Sequence, residues 1–298
     1  MAGFGQINQV EITILIDNYA GPKGTVGEKG FSSLVEVGYE TGDARKILFD
    51  TGATGTSLLN NLQVLNKDLK GLDCIVFSHG HWDHVWGIPP LLPLENPEAF
   101  LFCHPAALEK KWCLDGSGSV EIKSLHEMIS PERLEELIPI QTNPEPVELF
   151  PGVFSTGEIP RQNPHEVLSK RLSRIHIDGP DGPQVDQIPE DLSLIFQMGE
   201  GSIVILTGCC HAGVVNTIHH ARDIASFSEI AGLIGGLHLL DAPQPRLDYT
   251  VAELGKLNIK EIGACHCTGP RGIHALKKAF PDRFRDVEVG VQFTYPIP

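Results

Sequence analysis

The chain has 298 residues, with 23 Lys+Arg against 38 Asp+Glu and a formal net charge of −15. A hydrophobic share of 41% with 20% charged residues describes a folded globular protein, long enough for one large domain or two ordinary ones. The acidic balance argues against nucleic acid as a partner, because a phosphate backbone is bound by positive surfaces that release counterions.

The first residues, MAGFGQINQVEITILIDN, carry no basic segment and no small-residue cleavage site, so they do not read as a signal peptide. No run approaches the roughly 18 apolar residues of a membrane span. A cytoplasmic location without membrane attachment is the expectation. Val10, Ile12, Ile14 and Ile16 alternate as in a half-buried strand. Ser33–Tyr39, Arg45–Asp50 and Asp73–Ser78 follow as further strands, the last with a continuous apolar centre. Between the last two, Leu58, Leu59, Leu62 and Leu65 predict a helix within Thr56–Leu69.

From about 89 to 151 the chain is rich in Pro, Glu and Leu, and helices are predicted at Pro105–Leu114 and Pro131–Leu137. This stretch reads as a helical insertion in a single domain spanning 1–298. Arg161–Glu190 is polar and rich in Gly, Pro and Asp, and reads as a long loop, functional or disordered, whose Arg161, Lys170, Arg171 and Arg174 form a solvated face or meet a substrate anion. A hairpin is expected from Leu192–Gln197 and Ser202–Leu206 around Gly199, Glu200 and Gly201. Helices at Val214–Ile224, Tyr249–Lys256 and Ile273–Phe280 then alternate with strands at Ile230–Ile234 and Glu261–Ala264. This rhythm predicts an α/β protein, its sheets covered by helical layers. Seven cysteines without an export signal read as thiols or ligands, not as a disulfide framework.

The chemistry concentrates in Ser78-His79-Gly80-His81-Trp82-Asp83-His84, directly after the buried strand. Gly80 permits a tight turn, and a helix starting near Asp83 lets the donors converge. Imidazoles plus a carboxylate suit zinc, manganese or iron, and the cluster is dense enough for one or two divalent ions.

His79, His81, Asp83 and His84 form a His-x-His-x-Asp-His pattern that resembles the metallo-β-lactamase superfamily. The resemblance implies an αββα sandwich with metals at one edge of the two sheets. Phe49-Asp50-Thr51-Gly52 is similar to the family's early aspartate, which implies that Asp50 orients a ligand histidine. Two departures stand out. Thr207-Gly208-Cys209-Cys210-His211 places Cys209 where the family has a bridging aspartate, with His211 two residues on. Thr156-Gly157-Glu158-Ile159-Pro160 has Glu158 where the family has a histidine, which implies a first metal that either lacks this imidazole or gains Glu158 or His211 instead. His266, in Ala264-Cys265-His266-Cys267, matches the last family histidine. If the strand runs on, its neighbours Cys265 and Cys267 point away from the metals.

Thr-Gly-Cys-x-His-Ala-Gly, Gly235-Gly236-Leu237-His238-Leu239 and His-Cys-Thr-Gly together resemble one branch. It comprises 7,8-dihydropterin-6-methyl-4-(β-D-ribofuranosyl)-aminobenzene-5′-phosphate synthases and metal-dependent hydrolases of the β-lactamase superfamily II. That implies a metal-dependent enzyme, transferase or hydrolase, acting on a small anionic, phosphate-containing molecule. Its reaction is transfer of a pterin-methyl group from a diphosphate to an aryl acceptor, or hydrolysis of a phosphodiester, lactone or thioester. A metal-based redox or sensor protein is the remaining alternative. His238, Arg161 and Thr268 are the expected substrate contacts: His238 in a glycine-flanked loop, Arg161 beyond Glu158, and Thr268 at a helix start suited to phosphate. The oligomeric state leaves no mark in the sequence.

Overall fold

In the computed structural model, which describes residues 5–169, 171–198 and 201–296, the alternating N-terminal residues form β1 (Ile7–Ile16). It pairs antiparallel with β2 (Ser32–Tyr39), and β2 with β3 (Ala44–Phe49). α1 (Gly55–Val64) starts at Thr54, whose hydroxyl accepts the Ser57 N–H. It stops short of the expected Leu69 because Asn66 takes a left-handed φ of 53°. β4 (Cys74–Val76) pairs parallel with β3 and leads to the single turn α2 (Trp82–Val85).

Residues 89–151 add β5 (Phe100–Cys103) and β8 (Ile140–Thr142) to the edge of this sheet, both parallel to β4. Between them lie β6 (Lys111–Leu114), β7 (Val120–Ile122) and α3 (Pro131–Glu135). The helix expected over Pro105–Leu114 is thus only one tight turn at Pro105–Leu108, since residues 111–114 pair with β7 and tertiary pairing overrides local propensity.

β9 (Val147–Phe150) and β10 (Val153–Ser155) follow. The expected loop over 161–190 contains a hairpin, β11 (His176–Gly179) and β12 (Gly182–Val185), which joins β6 and β7 in a small four-stranded sheet. Gly182, with φ 114°, supplies the turn. Lys170, Gly199 and Glu200 lie outside the described residues.

β13 (Ser193–Met198) and β14 (Ser202–Thr207) form the expected antiparallel pair. α4 (Val214–Ala225), β15 (Glu229–Gly236), α5 (Gln244–Lys256), β16 (Ile259–Cys265), α6 (Gly269–Ala279) and β17 (Gln292–Pro296) complete the chain. β14, β15 and β16 run parallel, as their helical crossovers require.

Among the described residues the main sheet is continuous through one parallel pairing, Ile7 with Met198. Either side of that seam its halves turn their apolar faces to each other: Val10, Ile12, Val35, Phe49 and Phe293 pack with Leu194, Phe196 and Leu206. A second cluster joins α4, α5 and α6 to the outer face of β13–β16, and a third covers the outer face of β1–β5, with Leu58 and Leu62 of α1. The layers are helix, sheet, sheet, helix. Each fully buried aliphatic side chain contributes roughly 1.5–3 kcal/mol. Among the described residues no helix is long and apolar enough to cross a membrane.

Candidate metal centre

The donors gather at strand ends on one edge of the sandwich. Beyond β4, the chain turns at His79–His81, where a side chain on Gly80 would press to 2.6 Å from the Ala107 carbonyl. α2 then carries Asp83 and His84 inward, both buried. Asp50, just after β3, holds a left-handed φ of 59°. Its carboxylate accepts the Ser78 N–H at 2.7 Å, the Ser78 hydroxyl at 2.6 Å and His84 Nδ1–H at 2.6 Å. Ser78 Oγ, having given its proton to Asp50, accepts His79 Nδ1–H at 2.9 Å. Hydrogen bonding therefore leaves Nε2 of both His79 and His84 as a bare lone pair.

The second half of the molecule supplies the facing donors. Cys209 and His211 follow β14, His238 follows β15 and His266 follows β16. His266 is fixed by Asp17, which accepts its backbone N–H at 2.8 Å, and by Asn18 Oδ1, 3.1 Å from Nδ1. His84 Nε2 and His266 Nε2 then face each other at 3.2 Å, and His79 Nε2 and His211 Nε2 at 3.1 Å. Cys209 Sγ lies 3.2 Å from His84 Nε2. His81 Nε2 and His211 Nδ1 are buried with no partner among the described residues.

Two neutral imidazoles that point lone pairs at each other repel. The same arrangement is favourable around a cation, and rings that donate Nδ1–H to oxygen are oriented for that purpose. His79, His81 and His211 form one donor triplet and Asp83, His84 and His266 another. The donor set fits two divalent ions.

Electrostatics agree. Burial and neighbouring positive charge hold His79 and His211 well below the usual imidazole range, and push His81 down to about 3. Burial also lowers His266. These rings stay in the ligating neutral form. Burial opposes the charge of His84, but the Asp50 carboxylate outweighs it and raises the group. Asp83 is likewise penalised by burial, yet His84, His266 and Lys29 hold its carboxyl well below the usual range. Lys29 Nζ is 3.4 Å from Asp83 Oδ2.

The centre opens into a cleft of about 440 Å³. His81, Asp83, Cys209, His211, His238 and His266 line its floor, with Trp82, Lys29, Lys123, Arg171 and Arg174 around them. Lys29 Nζ stands 4.6 Å over the Trp82 ring. His238 lies at the cleft, its ring 4.4 Å from that of His211.

Other expectations need correction. Arg161 does not line the cleft: its guanidinium donates to the Gln187 and Ile188 carbonyls at 2.7 and 3.0 Å. Thr268 is buried and spends its hydroxyl accepting the Leu237 N–H at 3.0 Å. Glu158 is exposed, and His211 joins His79 and His81 instead. Cys265 packs between the sheets, but Cys267 turns towards the cleft, because β16 ends at Cys265 and His266–Thr268 is a tight helical turn where strand alternation no longer holds.

One feature gives no signal in the sequence. Lys111 is fully buried behind the His79–His81 turn, 2.8 Å from both Asp186 and Glu190, and Glu190 accepts the Gly80 N–H at 3.3 Å. Lysine in an apolar-polar strand ordinarily faces water.

A family model for the metallo-β-lactamase superfamily matches residues 26–111. The 7,8-dihydropterin-6-methyl-4-(β-D-ribofuranosyl)-aminobenzene-5′-phosphate synthase of Methanocaldococcus jannaschii is 27% identical over 299 residues, covering 97% of this chain and 98% of the relative. An uncharacterized protein of the same organism is 27% identical over 268 residues, 90% of this chain and 94% of its own. Among solved structures, a metal-dependent hydrolase of the β-lactamase superfamily shares the fold with a TM-score of 0.77 at 24% identity, over 96% of this chain and 99% of that one. A diphosphatase from the PhnP family shares it at TM-score 0.54 and 15% identity, over 98% and 99%. The layered fold, the matched motif segment and a relative aligned along nearly the full length make this chain similar to the metallo-β-lactamase superfamily, whose fold it shares.

Proposed function

We propose that the protein is a metal-dependent enzyme acting on a small phosphate-bearing substrate, in the manner of the pterin-pathway synthase it resembles. The observation that carries this reading is the make-up of one cleft. Donors for divalent ions form its floor, and around them stand an indole, the carboxylates Asp115, Glu121 and Asp241, and four cationic side chains, of which Lys29 and Lys123 pair with Asp83 and Glu121 while Arg171 and Arg174 face the cleft. A planar ring with a phosphate or diphosphate tail matches that distribution of charge and apolar surface.

Zinc is the cation the nitrogen-rich donors suit best, with manganese or iron as alternatives. His79, His81 and His211 would hold one ion, and Asp83, His84 and His266 a second, with Cys209 beside them. Bound there, divalent ions polarise a phosphoryl or carbonyl oxygen and neutralise charge on a departing group. The remaining work falls to the chain itself. Asp50 orients His84 directly and His79 through Ser78. Asp83 brings negative charge to the floor, and Lys29 balances it. Trp82 offers a face for a substrate ring, and His238, Arg171 and Arg174 offer donors to its anionic groups.

The decisive assay supplies a pterin diphosphate and an aryl acceptor, separately and together, to the zinc- or manganese-loaded protein. Pyrophosphate release only when both are present supports group transfer. Release of nitrophenol from bis-p-nitrophenyl phosphate, lost in His81→Ala, with no pyrophosphate from the pterin substrate, would establish a hydrolase in its place. A protein that retains no divalent ion after reconstitution would sink both.

A further inference from the structure

Four donor sets meet in the cleft: the two histidine-centred triplets, a set in which Cys209 joins His79 and His84, and a set of Cys209, His238 and Cys267, the donor atoms of each set lying within 4.8 Å of one another. The last set is the only one of the four to use His238 and Cys267. Its chemistry differs, with two sulfurs and one imidazole. Three strand ends build it: Cys209 after β14, His238 after β15, and Cys267 in the turn after β16.

Local geometry favours a ligand there. A side chain on Gly236 would come to 2.7 Å from Cys267 Sγ, so the bare glycine is what admits this thiol. His238 has a left-handed φ of 46°, a conformation that non-glycine residues rarely adopt without cause. Its backbone N–H donates to Cys267 Sγ at 3.3 Å, a bond that would also support a thiolate. Its Nδ1 is buried with no partner among the described residues. Cys267 Sγ in turn donates to the Cys209 carbonyl at 3.3 Å, which draws the two cysteines together.

We propose that Cys209, His238 and Cys267 form a further metal position, next to the two histidine-centred ones with Cys209 on their common border, for a soft or borderline divalent ion of the zinc class. Thiolate-rich sites select such ions over magnesium or calcium. As the ion binds, the two thiol protons pass to solvent and both sulfurs become anionic ligands. Three protein donors leave one tetrahedral position facing the cleft. The proposal is independent of the phosphate-substrate reading, since it concerns binding and not turnover.

The test uses the full chain, stripped of metal and titrated with cobalt(II). Sulfur ligation gives a near-ultraviolet sulfur-to-cobalt charge-transfer band; Cys209 also borders the histidine positions, so the share of the band that depends on Cys267 reports the proposed position. The band is expected to fall by about half in Cys209→Ser and in Cys267→Ser, and to vanish in the double variant, as the count of thiolate ligands falls. Absence of the band from the unmutated protein, or its full retention in Cys267→Ser, overturns the proposal. X-ray absorption on the unmutated zinc-loaded protein needs no variant to fold. A sulfur shell at about 2.3 Å is expected there. A shell of nitrogen and oxygen alone overturns the assignment.

Discussion

The Asp50 carboxylate lies 2.6 Å from His84 Nδ1, and both side chains are shut away from solvent. The same carboxylate receives the Ser78 hydroxyl, which receives His79 Nδ1–H, so one acid sets two neighbouring imidazoles of the centre. Asp50→Asn keeps the volume but offers an amide where an acceptor is needed, and the tautomer of His84 is no longer enforced. Affinity for zinc should fall about 10- to 100-fold, the usual effect of losing a group that orients a ligand. Competition against a chromophoric chelator reads the change, and an unaltered affinity would reduce Asp50 to a packing role.

His81→Ala and His211→Ala each remove a donor from the same triplet, although their positions in the chain are far apart. Each should lower affinity for one of two ions by at least about 100-fold, more than an orienting residue does, and leave the other ion in place. Metal content after dialysis, measured beside circular dichroism, distinguishes this from unfolding. Loss of both ions in either variant would mean that the two positions are not independent.

Lys111 is a buried cation between two carboxylates. Lys111→Met leaves Asp186 and Glu190 without it, and breaking a buried pair in this way costs about 3–5 kcal/mol. Chemical denaturation should register that loss. Replacing Lys111, Asp186 and Glu190 together by apolar residues of similar size should restore most of it. If Lys111→Met alone is neutral, water reaches the site and the burial argument fails.

Burial pushes Glu190 up to about 7, although Lys111 draws it down. One carboxylate oxygen holds Lys111 and Gly80, and the other, Oε2, is buried with no partner among the described residues. The folded state therefore retains a proton that the unfolded chain releases above its ordinary value of 4.5. Stability from this group is present below that value and declines as pH rises through the folded value, by up to about 1.4 kcal/mol per pH unit. Glu190→Gln should flatten the slope of unfolding free energy between these limits. An identical slope in the two proteins would assign the proton elsewhere.

Arg171 and Arg174 are exposed on the cleft wall. Arg171→Ala and Arg174→Ala should each raise KM for a phosphate-bearing substrate by about twofold to fivefold, the scale of a solvent-screened charge pair. kcat should hold, and the penalty should shrink at high salt. A fall in kcat with KM unchanged would contradict a role in binding alone.

Much of this centre is written locally. His79, His81, Asp83 and His84 fall within six residues after a buried strand, so a single turn gathers them. Asp50 directly follows the neighbouring strand, and Val10, Ile12, Ile14 and Ile16, picked out by their alternation in the sequence, are all buried in β1. Period and spacing are short-range properties, and they survive into the fold because nothing distant has to be known.

The choice of completing donors is a different matter. His211, Cys209 and His266 meet His79 and His84 across 132, 125 and 182 residues, a convergence set by strand register and by loop backbone angles. Spacing along the chain does not distinguish His211 from Glu158, and the preference follows from where β14 ends. The same holds for Cys267, which enters the cleft because β16 stops one residue before His266. Arg161 and Thr268 carry the right chemistry for substrate, yet nearby backbone groups claim their hydrogen bonds first. Residue types and local periods are therefore enough to name the metal chemistry. Which residues share the centre depends on long-range packing, because only there do groups compete for the same partners in space.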